Sequence, residues 1–158
     1  MTPALDTYHQ VISIRLVESI LKFNAQRHAG MVLYAPVDVC LEATETYQPD
    51  IIFITRDRLH IIEPARVNGA PDLVVEILSP STAYYDLREK FKVYARCGVK
   101  EYWIVDPHDK SVEVHEGKEG KFKQIMRVEG EGKAESVVLE GFEVEIKYIF
   151  ADIGTINQ

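Results

Sequence analysis

The sequence predicts a mixed α/β domain with a central sheet, because short apolar runs typical of buried strands are interleaved with segments of helical periodicity. The clearest strand is residues 72–78, an almost continuous apolar run of the kind found in strands covered on both faces. A helical segment and another apolar run, at residues 101–105, follow it. We therefore expect a central mixed sheet flanked by helices, with a C-terminal β-hairpin extension.

The N-terminal third of the chain is predicted to form a helix and two strands. Apolar residues recur at helical spacing through residues 5–28, and Gly30 suits the end of that helix. Residues 31–40 alternate enough to form a strand, and residues 50–55 form another. The polar, acidic residues 41–47 between them suit a hairpin connection.

The middle of the chain is predicted to connect two strands through a helix. Residues 57–70 contain several turn formers and form a connector, with a short helical turn expected at 57–62. After the strand at 72–78, residues 79–82 form a turn that ends in good N-cap residues. A helix over residues 83–97 follows, and Gly98 is its expected stop.

The C-terminal third is predicted to be mostly β-structure. Residues 112–115 and 122–128 form a hairpin around the glycines at 117 and 120. A polar stretch at 129–135 leads to further short strands, and a last helical turn is expected near residues 146–151.

Length and composition indicate one domain over residues 1–158, in a soluble protein that is 46% hydrophobic and 27% charged. Cys40 and Cys97 are far apart and lack metal-ligand spacing, so we expect buried thiols in a reduced, cytoplasmic protein. The sequence has no signal-peptide pattern and no apolar run of membrane-spanning length, so we expect no membrane association. The net charge of −7 argues against tight non-specific DNA binding but suits a metal site rich in acids.

Glu76 is the strongest candidate for a functional residue, because a carboxylate inside a doubly buried strand is costly unless it is paired or bound to a metal. Asp72 shares its face of the strand but lies about 13 Å away along it. Asp50 begins another predicted strand and can converge with Glu76 if the two strands pair. We therefore favour Asp50 and Glu76 as metal ligands over Asp72. Each acid also has a purely structural interpretation. Asp50 and Asp72 each follow a proline and are then turn residues at the start of a strand, and the Glu76 carboxylate is then satisfied by an arginine or by backbone N–H groups.

Lys90 is the lysine best placed to join these acids. On the helix at 83–97, Leu87, Phe91 and Tyr94 form the apolar stripe, and Lys90 falls at its edge. The alternative is an i,i+4 ion pair with Asp86. Two acids on adjacent strands plus a lysine are the parts of a metal-dependent phosphodiesterase site. His9, on the first helix, is a further candidate whose alternative role is packing.

One long segment resembles the Uma-type restriction endonuclease family of the PD-(D/E)xK nuclease superfamily. The resemblance runs from about residue 9 to the C-terminus. It is most specific where residues match in order and spacing, namely in Gln48-Pro49-Asp50, residues 69–82 (Gly-Ala-Pro-Asp-Leu-Val-Val-Glu-Ile-Leu-Ser-Pro-Ser-Thr), Asp86 with Lys90 and Tyr94, and residues 98–107 (Gly-Val-Lys-Glu-Tyr-Trp-Ile-Val-Asp-Pro).

The resemblance implies a restriction-endonuclease-like fold and a divalent metal, Mg²⁺ or Mn²⁺, held by carboxylates from neighbouring strands. It implies Asp50 and Glu76 as ligands, with the Ile77 carbonyl as a further ligand. It also implies that the catalytic lysine has moved from the strand to the next helix, where Lys90 lies. The family keeps an acid at Asp72, so the role of that residue stays open.

The sequence is compatible with two functions. The first is a Mg²⁺-dependent endonuclease acting on DNA as a homodimer. The second is a non-catalytic or decayed nuclease-fold protein that serves as a binding or assembly module. The second is motivated by the acidic balance and by the expectation that the family's usual N-terminal segment, with an acid that completes the site, is missing here.

Overall fold

The structure, a computed structural model, describes residues 6–80 and 84–154. In chain order its elements are α1 (Thr7–Arg27), β1 (Gly30–Tyr34), β2 (Val39–Glu42), β3 (Glu45–Tyr47), β4 (Ile51–Thr55), a 3₁₀ helix (Arg56–Ile61), β5 (Val67–Asn68), β6 (Leu73–Ile77), α2 (Tyr84–Arg96), β7 (Glu101–Asp106), β8 (Ser111–Lys118), β9 (Lys121–Glu129), β10 (Lys133–Glu135), β11 (Glu143–Glu145) and α3 (Ile146–Ile149).

A six-stranded mixed sheet in the order β1-β4-β6-β7-β8-β9 forms the centre of the molecule. β4 runs antiparallel to both β1 and β6, whereas β6 and β7 are parallel and are joined by the α2 crossover. β7, β8 and β9 continue as an antiparallel meander. This arrangement confirms the predicted mixed sheet with flanking helices and the later β-hairpin.

The two faces of the sheet are covered by different helices and form two separate cores. On the first face, Ile12, Leu16 and Ile20 of α1 pack with Val75 of β6 and Trp103 of β7. On the second face, the core is formed by residues from α2, the central strands and the smaller β-elements: Val39, Ile52, Ile54, Ile61, Val67, Val74, Tyr94, Val99, Tyr102 and Ile104. β6 thus buries both of its faces, as its continuous apolar run predicts.

The ends of α1 differ in part from the prediction. Asp6 caps the helix by accepting a hydrogen bond of 2.7 Å from the His9 N–H. At the other end, His28 adopts the left-handed conformation, with φ of 51°, so His28 and not Gly30 ends the helix. Gly30 instead begins β1, where a Cβ would collide with the Ile54 carbonyl of β4. The glycine therefore permits the close approach of two strands.

The predicted strand at residues 31–40 is wrong in its extent. The structure ends β1 at Tyr34 and starts β2 at Val39, and β2 belongs to a separate three-stranded sheet in the order β3-β2-β5. Pro36 lies in the gap and has no N–H to donate to a ladder, which explains the interruption. The predicted hairpin connection at 41–47 is itself built from parts of β2 and β3.

Most other predicted elements are confirmed. The helical turn expected at 57–62 is the 3₁₀ helix, and Gly98 follows α2 with a φ of +96°. The predicted N-cap residues Ser81 and Thr82 lie outside the described residues. Cys40 and Cys97 are half-buried rather than buried, and both thiols are free. Among the described helices, none combines the length and apolarity needed to span a membrane.

Candidate active site

The register of β4 and β6 brings Asp50 and Glu76 to the same end of the two strands. Ile51 pairs with Val75, so Asp50 precedes β4 at the level where Glu76 lies on β6. The Asp50 carboxylate accepts a hydrogen bond of 2.8 Å from the Ile77 N–H. Its side chain is 18% exposed, so one part of this pair of acids remains accessible to solvent.

Glu76 is buried and receives hydrogen bonds from two side chains of α2. The Tyr94 hydroxyl donates to Oε1 at 2.8 Å, and the Lys90 ammonium donates to Oε2 at 3.2 Å. Burial raises the pKa of the Glu76 carboxyl, while Lys90 and Tyr94 oppose that rise and the charge of Asp50 adds to it. The pKa stays above its usual range, so the cost of placing this acid in the strand is only partly offset.

Lys90 faces inward from α2, in the orientation that helical geometry predicts. Its ion pair is with Glu76, and its side chain is 30% exposed, whereas the Glu76 side chain is 8% exposed. The ammonium therefore lies between the buried acid and solvent. This is a suitable position for a group that contacts both the site and an incoming substrate.

His9 contacts the same cluster from α1. Its Nε2 lies 3.1 Å from the Ile77 carbonyl and 3.4 Å from Asp50 Oδ1. Both neighbours are acceptors, so we assign the proton of a neutral ring to Nε2. Burial lowers the pKa of His9, but the hydrogen bond and charge of Asp50 outweigh it, and the pKa lies above its usual value. His9 Nδ1 is buried without a hydrogen-bond partner in the described structure.

Asp72 does not join this cluster. It is fully buried toward the other end of β6, where it forms ion pairs with Arg58 at 3.0 Å and Lys100 at 2.9 Å. It also accepts hydrogen bonds from the backbone and hydroxyl of Thr55. Burial raises the pKa of Asp72, but the Thr55 and Lys100 hydrogen bonds and the Arg58 charge together hold it below its usual value. The described contacts of Asp72 are therefore those of a residue that links neighbouring segments.

The structure adds two tyrosines that sequence reasoning did not assign to the site. The sequence places Tyr94 in the apolar stripe of the helix and in the motif that resembles the family, without a role in the site. Its hydroxyl bonds Glu76, and its ring packs against Tyr47 and Tyr102 with centroids 5.5 and 5.2 Å away. The Tyr102 hydroxyl is buried and makes no hydrogen bond of good geometry to any residue that the structure describes. Tyr94 lies four residues after Lys90, and residues at that spacing share a helix face, so the sequence does indicate that both can reach the same site.

Two open grooves meet at His9. The first has a volume of about 450 Å³ and is lined mainly by apolar side chains of α1 and the end of β1, together with His9 and Asp50. The second, of about 420 Å³, lies between the start of α1 and the segments after β6 and β7. The candidate site can therefore be reached along both sides of the first turn of α1.

The donor atoms suit a hard divalent cation. Two carboxylates, from Asp50 and Glu76, and the Ile77 carbonyl are oxygen ligands of the type that Mg²⁺ and Mn²⁺ prefer. Within the described part of the chain, Glu76 accepts two side-chain hydrogen bonds, and the Asp50 charge raises its pKa, a repulsion that a cation would relieve. Within residues 6–80 and 84–154, no group of three or more His, Cys, Asp or Glu side chains is arranged to hold a metal. A set of ligands for such an ion would therefore have to include a main-chain oxygen.

Comparison with known proteins gives a family and a fold. The family model Uma2, described as "Putative restriction endonuclease", matches residues 1–147. The chain is also similar to a crystal structure from Anabaena variabilis described as a putative nuclease belonging to DUF820. That similarity has a TM-score of 0.77 and 18% identity, and it covers 96% of this chain and 84% of that chain. The search of curated proteins gave no match. The predicted fold class is therefore confirmed.

Proposed function

Because the chain belongs to the Uma2 family of restriction-endonuclease-like proteins, we propose that it is a divalent-metal-dependent endonuclease that hydrolyses phosphodiester bonds in DNA. The observation that carries this proposal is the convergence of Asp50, Glu76 and Lys90. Glu76 lies on β6, Asp50 immediately precedes the paired strand β4, and the lysine reaches the buried acid from the following helix. An acid pair beside a cation suits the handling of a phosphate group and of the water that attacks it.

Asp50, Glu76 and the Ile77 carbonyl are the residues that would hold Mg²⁺ or Mn²⁺. The ion, when bound, would polarise the scissile phosphate and acidify a water molecule. His9 supports this set, because its Nε2 contacts both the Ile77 carbonyl and the Asp50 carboxylate. We propose that His9 fixes the orientation of these two oxygen groups, as outer-shell hydrogen bonds do in many metal sites.

Lys90 supplies the positive charge that the chemistry requires. In the proposed reaction, water attacks phosphorus, the bond from phosphorus to O3′ breaks, and O3′ leaves as a hydroxyl after gaining a proton. The products carry a 5′-phosphate and a 3′-hydroxyl. The Lys90 ammonium would orient the attacking water or stabilise charge that develops on the pentavalent phosphate. Its partial exposure lets it contact the substrate while Glu76 keeps it in place.

DNA and a second copy of the chain are the proposed partners. Cleavage of both strands of a duplex is most simply performed by two identical sites related by two-fold symmetry, so we propose a homodimer. RNA is the alternative substrate, since the same site chemistry would cleave it. We include both nucleic acids in the test.

Replacement of Glu76 by Gln tests the proposal. The variant keeps the size of the side chain but removes a negative charge, so we expect loss of Mn²⁺ binding by calorimetry and loss of cleavage of DNA and RNA substrates. Glu140→Gln changes an exposed acid and is the matched control. Unchanged metal binding and cleavage in Glu76→Gln, with a folded variant by circular dichroism, would contradict the assignment.

A second candidate function is a non-catalytic binding or assembly module with the same fold. It is favoured by one observation: both oxygens of Glu76 already have protein partners, which is the arrangement expected of a structural acid. Mn²⁺ binding separates the two candidates. An active nuclease binds the ion through Glu76, whereas a module without catalysis shows no binding in either the wild-type chain or the Glu76→Gln variant.

A further inference from the structure

The two edges of the central sheet differ in charge. β9 forms one edge and carries four charged residues, two near each of its ends: Lys121, Lys123, Arg127 and Glu129. β1 forms the other edge, and its sequence, Gly-Met-Val-Leu-Tyr, has no charge. In the described part of the chain, β1 pairs only with β4. Asn24 hydrogen-bonds both the N–H and the carbonyl of Gly30 and so covers the first residue of this edge. Charged side chains normally protect a free edge from pairing, and β1 has none, so the edge beyond Gly30, at Val32 and Tyr34, is unprotected.

Exposed apolar side chains surround this edge. Four of the eight large apolar side chains that are exposed in the described structure lie on α1 and β1: Ile14 (68% exposed), Leu21 (51%), Met31 (44%) and Tyr34 (63%). We call these four residues, with the free edge of β1, the β1 edge patch. Ile14, Leu21 and Tyr34 also line the groove of about 450 Å³. Met31 lies on the opposite face of β1, since it pairs with Ile54 of the second core. Exposed apolar side chains therefore flank the free edge on both faces of the sheet, which is typical of an interface.

The chemistry of the β1 edge patch selects its partner. Unpaired backbone groups of an edge strand are best satisfied by another extended strand. A nucleic acid would need cations here, and the strand and the four exposed side chains carry none. In a chain of net charge −7, an uncharged surface is also where a second copy meets the least repulsion.

We propose that two copies of the chain associate through the β1 edge patch, with β1 of each copy antiparallel to β1 of the other about a two-fold axis. Such pairing joins the two sheets into one and buries the exposed apolar residues of both copies. Tyr34 lines the same groove as His9 and Asp50, so the interface borders the candidate site of each copy. The inference rests on the homodimer of the proposed function, but it does not depend on metal binding or cleavage.

Two lysine substitutions on opposite edges of the sheet test this interface. Met31→Lys places a charge on β1, and the matched control Ile125→Lys places the same charge on β9, where the native side chain is 41% exposed. We expect the wild-type chain and Ile125→Lys to be dimers by sedimentation equilibrium. We expect Met31→Lys to weaken the dimer by at least about tenfold, because two-fold symmetry brings its two lysines to the same interface.

A monomeric wild-type chain would overturn the proposal, as would a dimer that Ile125→Lys weakens more than Met31→Lys. Circular dichroism checks that each variant is folded. If Met31→Lys fails to fold, Ile14→Lys on α1 replaces it, since Ile14 lies in the patch but outside the strand. Loss of the dimer in this variant supports the proposal, and a fully retained dimer overturns it.

Amide hydrogen exchange on the wild-type chain gives a second test without substitution. Pairing protects the outward amides of β1, so we expect their exchange to slow as protein concentration rises, while exchange in β9 stays constant. Exchange in β1 that is independent of concentration would overturn the proposal. So would protection of β1 by a single-stranded oligonucleotide in place of a second copy. Catalytic inactivity of the chain would leave these results unaffected and would count only against the proposed reaction.

Discussion

At the scale of single residues, the most informative position is Glu76. Its cost was visible in the sequence as one acid inside an apolar run, and strand geometry then favoured Asp50 over Asp72 as its partner. The structure places Asp50 and Glu76 at the same end of the paired strands β4 and β6, and their role as metal ligands stays a prediction. The partners of Asp72 could not be predicted, because Arg58 and Lys100 reach it from separate segments on either side of β6 in sequence.

The hydroxyl of Tyr94 should contribute to stability through Glu76. In Tyr94→Phe the ring is kept but the 2.8 Å hydrogen bond to a buried carboxylate is lost, so we expect the free energy of unfolding to fall by about 1–3 kcal/mol in urea denaturation. Tyr47→Phe is the matched control, since its hydroxyl bonds Glu45 near the surface. A loss in Tyr94→Phe no greater than in Tyr47→Phe would contradict this role.

At the scale of secondary-structure elements, one buried acid links the C-terminal segment to the sheet through hydrogen bonds. Glu101 at the start of β7 is fully buried and accepts hydrogen bonds from the Trp103 indole and the Ser136 hydroxyl. It also accepts bonds from the backbone N–H groups of Val137 and Val138. Four donors from two parts of the chain therefore converge on one carboxylate.

Removal of this carboxylate should loosen the segment that contains β10 and β11. Glu101→Ala leaves several buried donors without a partner, so we expect a loss of about 3–5 kcal/mol in the free energy of unfolding. We also expect that the substitution accelerates amide exchange at Val137 and Val138 more than it accelerates exchange in β6. Glu135→Ala, an exposed acid on β10, serves as the control. If the amides of Val137 and Val138 exchange equally slowly in the wild-type chain and in Glu101→Ala, Glu101 does not hold this segment to the sheet.

The elements that the sequence predicted correctly have a long or strong local pattern, whereas those it missed are short or depend on pairing with distant segments. α1, β6 and α2 are long or strongly patterned, so periodicity alone predicted them. The break between β1 and β2 follows from Pro36, but the residues around it still read as a strand, and only the pairing of β2 with β5 shows that the chain has changed sheets. A two-residue strand such as β5 has too little pattern to be found in advance.

At the scale of the whole molecule, two buried histidines have opposite effects on the dependence of stability on pH. Burial lowers the pKa of His115, an effect that Glu113 only partly opposes. Between the unfolded value of about 6.5 and this lower folded value, the unfolded chain binds more protons, so stability falls as pH falls. The pKa of His9 is raised in the folded state, so its contribution is present below about pH 6.5 and is lost as pH rises through the folded value.

Substitution of His115 by Phe should therefore make the protein less sensitive to acid. The ring of His115 packs edge-to-face against Phe91 at 5.1 Å and its nitrogens have no hydrogen-bond partner in the described structure, so an aromatic apolar replacement suits the site. We expect a smaller loss of unfolding free energy between pH 7 and pH 5 than in the wild-type chain, measured by urea titration. Exposed His60→Gln is the control, and an unchanged acid dependence in His115→Phe would count against this assignment.

The two donors to Glu76 have a consequence for how this sequence can vary in length. Lys90 and Tyr94 both reach Glu76 from α2 because they lie four residues apart on one helix. One residue inserted between them would turn Tyr94 by about 100° relative to Lys90 and remove one of the two contacts. The β8–β9 turn at Glu119 and Gly120 is not helical, so an insertion there does not rotate one side chain relative to another around a helix axis. In a library of single-residue insertions selected for function, we expect depletion within α2 and tolerance at that turn.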